Sequence, residues 1–331
     1  MYSLLGISLF FAIFFVLNLL FSATAATLWR VFSPIAESWT AGRRVQVIFA
    51  LRILPTIFAF VFVTAFLLPA YLLFEPHSSE EIVSFKLALF TLLSAVGVSI
   101  ALYRVFGSWW VTRRLVANWL RLSDKISVEN VSIPVYCVRH PFPIIAVIGT
   151  FRPKMFVARQ IFDSLSSEEF RAAIAHEYGH LSTYDNFKRT LLRICRDLLL
   201  VSCGQNLDRA WAENSEAAAD EFAAQTGGNS TAICLASALV KVARIVPQGT
   251  SPAMPIGAFL LEAQTVDITW RVRRLLKLTD NKEVFIKKAG LGLLFWLCLS
   301  GFLAVVLLLA TNESFLQIIH FAVEDIVAVL Q

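Results

Sequence analysis

Apolar positions run in long blocks near both ends of the chain and give way to mixed, periodic patterning between them. Residues 4 to 29 are almost wholly apolar, and 53 to 74 form a second run. A third extends from about Leu87 to Phe106 and a fourth from Ala289 to Ala310. Crossing the hydrocarbon layer of a bilayer takes about 20 residues of helix, so each run is long enough. The pattern predicts a membrane helix at 1–29, a linker at 30–52, a second helix at 53–74, an outer loop at 75–86 and a third helix at 87–107. A mixed domain at 108–288, a fourth helix at 289–310 and a tail at 311–331 complete the layout. Pro55 and Pro69 lie near the ends of the second run, where a membrane helix tolerates them, and Arg52 at its boundary is expected to snorkel outward. In the tail, Phe315, Ile319, Ala322, Val323 and Ile326 recur at helical spacing with Glu313, Glu324 and Asp325 elsewhere. This predicts an amphipathic helix that docks on the bundle or lies at the interface.

Within the mixed domain, 144–148 and 154–158 are short apolar runs separated by Gly149-Thr150-Phe151-Arg152-Pro153, a hairpin signal. Ser166, with Glu169 three residues on, fits a capping box, and the helix it opens carries Phe170 and Ile174 through to about Leu181. From Phe187 to Val201 leucines alternate with Lys188, Arg189, Arg193, Arg196 and Asp197. That is no membrane span; it predicts a core helix with one face on the bilayer surface.

Composition agrees with a membrane protein: 57% of the 331 residues are hydrophobic, 16% are charged and the mean hydropathy is +0.67. The net charge of +5 could suggest nucleic acid. The basic residues, however, flank the apolar runs (Arg30, Arg43, Arg44, Arg113, Arg114, Lys282, Lys287, Lys288), as the positive-inside rule describes, so a bilayer and not nucleic acid is the expected partner. The same rule puts 108–288 in the cytoplasm and both termini outside a cell membrane. Ala23-Thr24-Ala25 could be a signal-peptidase site, but Met1-Tyr2-Ser3 lacks a basic n-region, which favours an uncleaved helix. Cys137, Cys195, Cys203, Cys234 and Cys298 form no C-x-x-C pair, so neither a thiolate metal site nor a disulfide framework is expected. The oligomeric state is left open.

Candidate chemistry lies on the capped helix, at His176-Glu177-Tyr178-Gly179-His180. Two histidines four residues apart share a helix face and can bind one metal, and Glu177 can reach a water bound to it. The other histidines are only His77, His140 and His320. A catalytic zinc takes three protein ligands and keeps one open position. Glu216 is the best third ligand, because Asp220 lies one turn further on and could accept a hydrogen bond from a ligand histidine. Glu213 and Glu221 are rivals without such a partner. In this arrangement Glu177 is the general base.

The run 149–157, then Leu165 to Phe170, His176-Glu177-x-x-His180 with Asp185-Asn186, and Glu216-x-x-x-Asp220 with the Glu221 to Gly227 segment after it resemble the membrane-bound M56 metallopeptidases, typified by the beta-lactam sensor-transducer proteases. They are similar too to the related M48 group, which includes the CAAX prenyl and heat-shock membrane proteases. The likeness covers residues 140 to 230. It implies a mostly α fold: multi-pass membrane helices plus a cytoplasmic α+β zincin-like (gluzincin) metalloprotease domain with a small β-sheet. It also implies Zn2+ held by His176, His180 and Glu216, Asp220 as support, a protein or peptide substrate, and pairing of that substrate with the strand at Ala146, Val147 and Ile148. Only about twenty residues follow Ala310, so the sensor domain of the M56 proteins is not expected. Thr269-Trp270-Arg271-Val272-Arg273-Arg274 keeps the arginines of an M48 C-terminal helix without its His-Pro. Arg271 is a candidate oxyanion-stabilising group or a structural or membrane-facing residue. The functions that follow are an integral-membrane zinc endopeptidase, an M48-like processing or quality-control protease, or a non-catalytic transducer retaining a zinc site.

Overall fold

The computed structural model describes residues 2–76, 84–128, 131, 133–150, 152–201, 203–245, 268–280 and 291–330. The acidic connection at Glu80 and Glu81 and the basic Lys282, Lys287 and Lys288 lie outside the described residues. The apolar runs fold into helices longer than the runs themselves. α1 is Tyr2–Ala36, α2 is Ala41–Phe62 and α3 is Leu68–Phe74. A π-helical turn, Val63–Leu67, joins α2 to α3 just before Pro69, whose missing N–H cannot bond one turn back. The expected linker at 30–52 is therefore mostly helical, broken only around residues 37–40. There Thr40 caps α2, its side chain accepting from the Arg43 N–H. α4, Phe85–Arg121, has 37 residues and spans about 55 Å, far more than the bilayer core needs. Its C-terminal turns, where Arg114 stacks 3.4 Å over Trp110, carry the chain on to the mixed domain.

Three helices among the described residues, Tyr2–Ala36, Ala41–Phe74 and Phe85–Arg121, are long and apolar enough to cross a membrane. Toward the C-terminus α11, Leu291–Ala310, bends by 78° into α12, Glu313–Leu330, and Val323 of α12 joins the buried cluster of Leu5, Leu9, Val63 and Tyr71.

Arg52 departs from expectation. It is not turned toward solvent but is only 1% exposed, and its Nε donates to Asp208 Oδ1 at 3.0 Å. A partner supplied by the mixed domain outweighs the outward pull on a lone cation.

The mixed domain is built on a four-stranded sheet: β1 Ser123–Ile126, β2 Val135–Val138, β3 Ile145–Ile148 and β4 Lys154–Ala158, in the order β1-β2-β4-β3. β1 with β2 and β3 with β4 are antiparallel, while β2 and β4 run parallel. β3 and β4 form the expected hairpin, with Ala146 opposite Phe156. A core of Val135, Ile145, Val147, Phe156, Val157 and Ile174 joins this sheet to the helices. These are α5 Arg159–Ser164, α6 Ser167–Ser182, α7 Asp185–Leu199, α8 Gln205–Gly227, α9 Asn229–Ile245 and α10 Ile268–Asp280. The capping box at Ser166 is formed: Ser166 N–H donates to Glu169 Oε2 at 2.8 Å and Glu169 N–H to Ser166 Oγ at 3.3 Å.

Candidate metal centre

α6 and α8 cross at Gly179, where a side chain would have met the α8 backbone at Ala219. That close approach sets Glu216 beside the α6 histidines. Nδ1, Nε2 or carboxylate oxygens of His176, His180 and Glu216 all lie within 4.8 Å of one another, and all three residues are buried. Each histidine is held at its other end. His176 Nδ1 is 2.9 Å from Asp220 Oδ1, and His180 Nδ1 is 2.8 Å from Asp185 Oδ2. These carboxylates fix the tautomer and leave Nε2 of each ring toward the centre. The two Nε2 atoms lie 3.5 Å from Glu216 Oε2 and Oε1 respectively. Two donors bound at about 2.1 Å to a tetrahedral ion stand about 3.4 Å apart, so the observed spacing suits a zinc-sized cation. The donor set, two imidazoles and one carboxylate, is chemically suited to the same ion.

Around this trio the charges are tightly arranged. Arg271 is fully buried; its Nε and Nη2 donate to Asp220 at 3.0 and 2.6 Å, and Nη1 lies 3.0 Å from Glu216 Oε2. Burial alone would raise both acids, yet His180 and Arg271 drive Glu216 well below the usual carboxylate range, and Arg271 with His176 holds Asp220 at about 2. For His180, burial would lower the ring's pKa, but Glu216 and Asp185 push it up to about 10 when no cation is present. Glu177 goes the other way. It is fully buried, neither oxygen has a hydrogen-bond partner among the described residues, and burial raises its pKa against the pull of the two histidines. A buried carboxylate with no hydrogen bond among the described residues, next in sequence to one donor, is suited to exchange protons with a bound molecule.

Of the rivals for the third position, Glu221 accepts from Arg274 and from the Ala41 N–H that opens α2. Glu213 faces a cavity between α7 and α8. Ala146, Val147 and Ile148 lie on β3, at the edge of the sheet and fully within the core. Asn186 at the start of α7 donates to the Val147 and Gly149 carbonyls at 3.0 and 3.1 Å, tying that edge to the helix. A cavity of about 100 Å³ lined by Val147, Gly149, His180 and Tyr184 lies alongside.

Sequence reasoning missed two contributors. Asp185 was seen only as part of a motif, although it orients His180 and accepts from Ser215 Oγ at 2.6 Å and Thr183 Oγ1 at 2.7 Å. Ser215 itself, next to Glu216, gave no signal. Arg271, for which oxyanion-stabilising, structural and membrane-facing roles were open, is fully buried against Asp220 and Glu216.

The comparisons with known proteins bear on the same segment. Residues 112–206 match the model of peptidase family M48. That stretch holds the sheet, His176, Glu177, His180 and Asp185, and stops short of Glu216 and Asp220. M48 is the second of the two groups the motifs resemble. Among solved structures, Ste24p of S. mikatae aligns over 81% of this chain and 98% of its own, at 13% identity and a TM-score of 0.29, a superposition too loose to bear on the fold. No curated protein matches the sequence.

Proposed function

We propose that the chain is an integral-membrane, zinc-dependent endopeptidase that cleaves membrane-associated or cytosolic regulatory proteins. The observation that carries the reading is the meeting of His176, His180 and Glu216 around a space of zinc-ligand dimensions, with a fully buried Glu177 beside it that has no hydrogen-bond partner among the described residues. Zinc, when bound there, supplies Lewis-acid activation of water and of the scissile carbonyl. Glu177 takes a proton from the attacking water at its carboxylate and returns it to the leaving amine. Asp220 and Asp185 hold the two imidazoles in the donor orientation, and Arg271 keeps Asp220 and Glu216 ionised. By the resemblance, the edge of β3 at Ala146 to Ile148 would pair with an extended substrate, which would have to displace Asn186 from the Val147 carbonyl.

The M48 match favours a processing or quality-control protease over a sensor-transducer of the M56 type. Residues 108–288 would then be the peptidase domain, on the cytoplasmic side by the distribution of Lys and Arg. A transducer that used the site only for stability would have no need of Glu177.

The test compares zinc content and casein hydrolysis for the purified full chain and its Glu177→Gln variant. Equal zinc in both, with hydrolysis lost only in the variant, is expected. Absence of zinc from the wild-type protein, or hydrolysis that survives in Glu177→Gln, would overturn the reading.

A further inference from the structure

A second group of metal-ligating side chains lies at the other end of the anchor. Glu75, the C-cap of α3, meets His320 and Glu324 of α12, and one imidazole nitrogen and two carboxylate oxygens all lie within 4.8 Å of one another. His320 Nε2 stands 3.2 Å from Glu324 Oε1. Two donors held by one ion at about 2.1 Å are about 3.0 Å apart in octahedral and about 3.4 Å apart in tetrahedral geometry, so this pair is already at ligand spacing. The group is remote from the first centre. The 34 helical residues of Ala41–Phe74 separate Glu75 from the Ala41 N–H that Glu221 accepts, about 50 Å at the helical rise.

Packing determines which face of α12 comes here. Leu316 and Val323 are buried, Phe315 meets Phe66 edge-on at 5.4 Å, and Ile319 packs on the cluster of Leu5 and Tyr71. His320 follows Ile319, with its side chain 11% exposed and its ring 5.9 Å from that of Phe74; Glu324 is one turn further on. A His–Glu pair at i, i+4 is by itself an ordinary feature of a helix surface. Here a different helix brings a second carboxylate to the same imidazole. Glu75 also stands at the wrong end of its own helix, where the last carbonyls of α3 disfavour an acid and favour a cation. Neither 75–84 nor 311–331 contains a lysine or arginine to offset these acids.

We propose that Glu75, His320 and Glu324 form a second metal site, for a first-row divalent ion that accepts imidazole nitrogen, zinc by preference, and that this ion fastens α12 to the end of α3. One imidazole and two carboxylates suit zinc, whereas Mg2+ and Ca2+ take oxygen donors throughout. Glu324, 51% exposed, gives the ion its way in from solution. Because the donors come from two helices, binding favours the docked arrangement of α12 over any in which it is released. The site does not depend on the peptidase reading.

The test measures α12 directly. The full-length chain in detergent is stripped with a chelator, and amide hydrogen exchange of α12 is followed by mass spectrometry with and without micromolar zinc. The variants are His320→Gln, Glu324→Gln and, to disable the first centre alone, His180→Gln; bound zinc per chain is measured on the same samples. Zinc is expected to slow exchange in α12 at least ten-fold in the wild type and in His180→Gln, but less than two-fold in His320→Gln and Glu324→Gln, each of which binds one zinc fewer than wild type. Where His320→Gln does not fold, the half-exposed Glu324→Gln decides. Equal zinc content and equal protection in wild type, His320→Gln and Glu324→Gln overturn the site. So does protection that disappears in His180→Gln but persists in the α12 variants, since it would then spread from the first centre. Protection by millimolar Mg2+ or Ca2+ as strong as that by zinc also overturns it, because the imidazole would then play no part.

Discussion

Replacing Gly179 with alanine tests whether the crossing of α6 and α8 builds the metal centre. The added Cβ would sit 3.0 Å from Ala219 Cα, 3.3 Å from Ala219 Cβ and 3.4 Å from Ala219 O. Carbon–carbon contacts settle at about 3.5 to 4.0 Å, so α8 must retreat by roughly 0.5 Å. Backbone, not a flexible side-chain tip, blocks the way. Ala219 is less than one turn from Glu216, so the carboxylate retreats with it. Metal–ligand distances tolerate only about ±0.2 Å, and a displaced ligand should lower zinc affinity by at least about ten-fold. Stability should suffer less: about 1–3 kcal/mol from overpacking, offset by the roughly 1 kcal/mol that alanine gains over glycine in a helix. Gly42→Ala is the control, since nothing lies within 4 Å of a Cβ there. The assay is competition for zinc against a chromophoric chelator, with thermal unfolding measured in parallel on the same detergent-solubilised chain. Gly179→Ala should lose zinc affinity while unfolding within a few degrees of wild type, and Gly42→Ala should keep both. Wild-type zinc affinity in Gly179→Ala would refute the reasoning, because it would mean either that Glu216 is not a ligand or that the two helices do not meet there.

Other outcomes follow from the same geometry. Asp185→Ala removes the 2.8 Å contact that orients His180 and should weaken zinc binding by about 10- to 100-fold, read in the same chelator competition. Glu169 lies outside the centre; against the effect of its burial, Lys241, the Ser166 N–H and Ser237 hold its carboxyl at about 2, below the ordinary 4.5. Its contribution is therefore complete above about pH 4.5 and is lost as pH falls through about 2. Because Lys241 is 45% exposed, solvent screening reduces the effect to about 1 kcal/mol. Acid unfolding of Glu169→Gln, followed by circular dichroism, should show a correspondingly shallower loss between pH 4.5 and 2.

What could be read from the sequence was the local part. His176 and His180 share a face by helical arithmetic, Ser166 and Glu169 announce their cap, and the hairpin at 144–158 is marked by its Gly-x-x-x-Pro turn. Asp220 was legible because it repeats the i to i+4 logic on α8, and it does meet His176. The contribution of Asp185 was not, because it depends on a reversal at Tyr184, whose backbone is left-handed at φ 56°. A tyrosine gives no warning of that conformation. Helix ends were misjudged for a related reason: the apolar runs mark what lipid can cover, whereas α1 and α4 continue through Trp, Arg and Ser residues that propagate a helix equally well. Arg52 was misplaced, and the role of Arg271 left open, because their partners are 156 and 51 residues distant, and no window along the chain brings such pairs together.

The Arg52–Asp208 pair also sets an order of events during synthesis. At about 5–20 residues per second the 156 residues between them take some 8–30 s to make. Throughout that interval α2 holds a cation with no permanent acid, at a cost of up to about 3 kcal/mol if it sat at mid-membrane. Gly204, at φ +89° and within reach of the Arg52 guanidinium, allows α8 to begin directly against it. The contact that buries Arg52 thus cannot form until the helix bearing Glu216 has begun to emerge, which ties the setting of α2 to the arrival of the metal-centre helix.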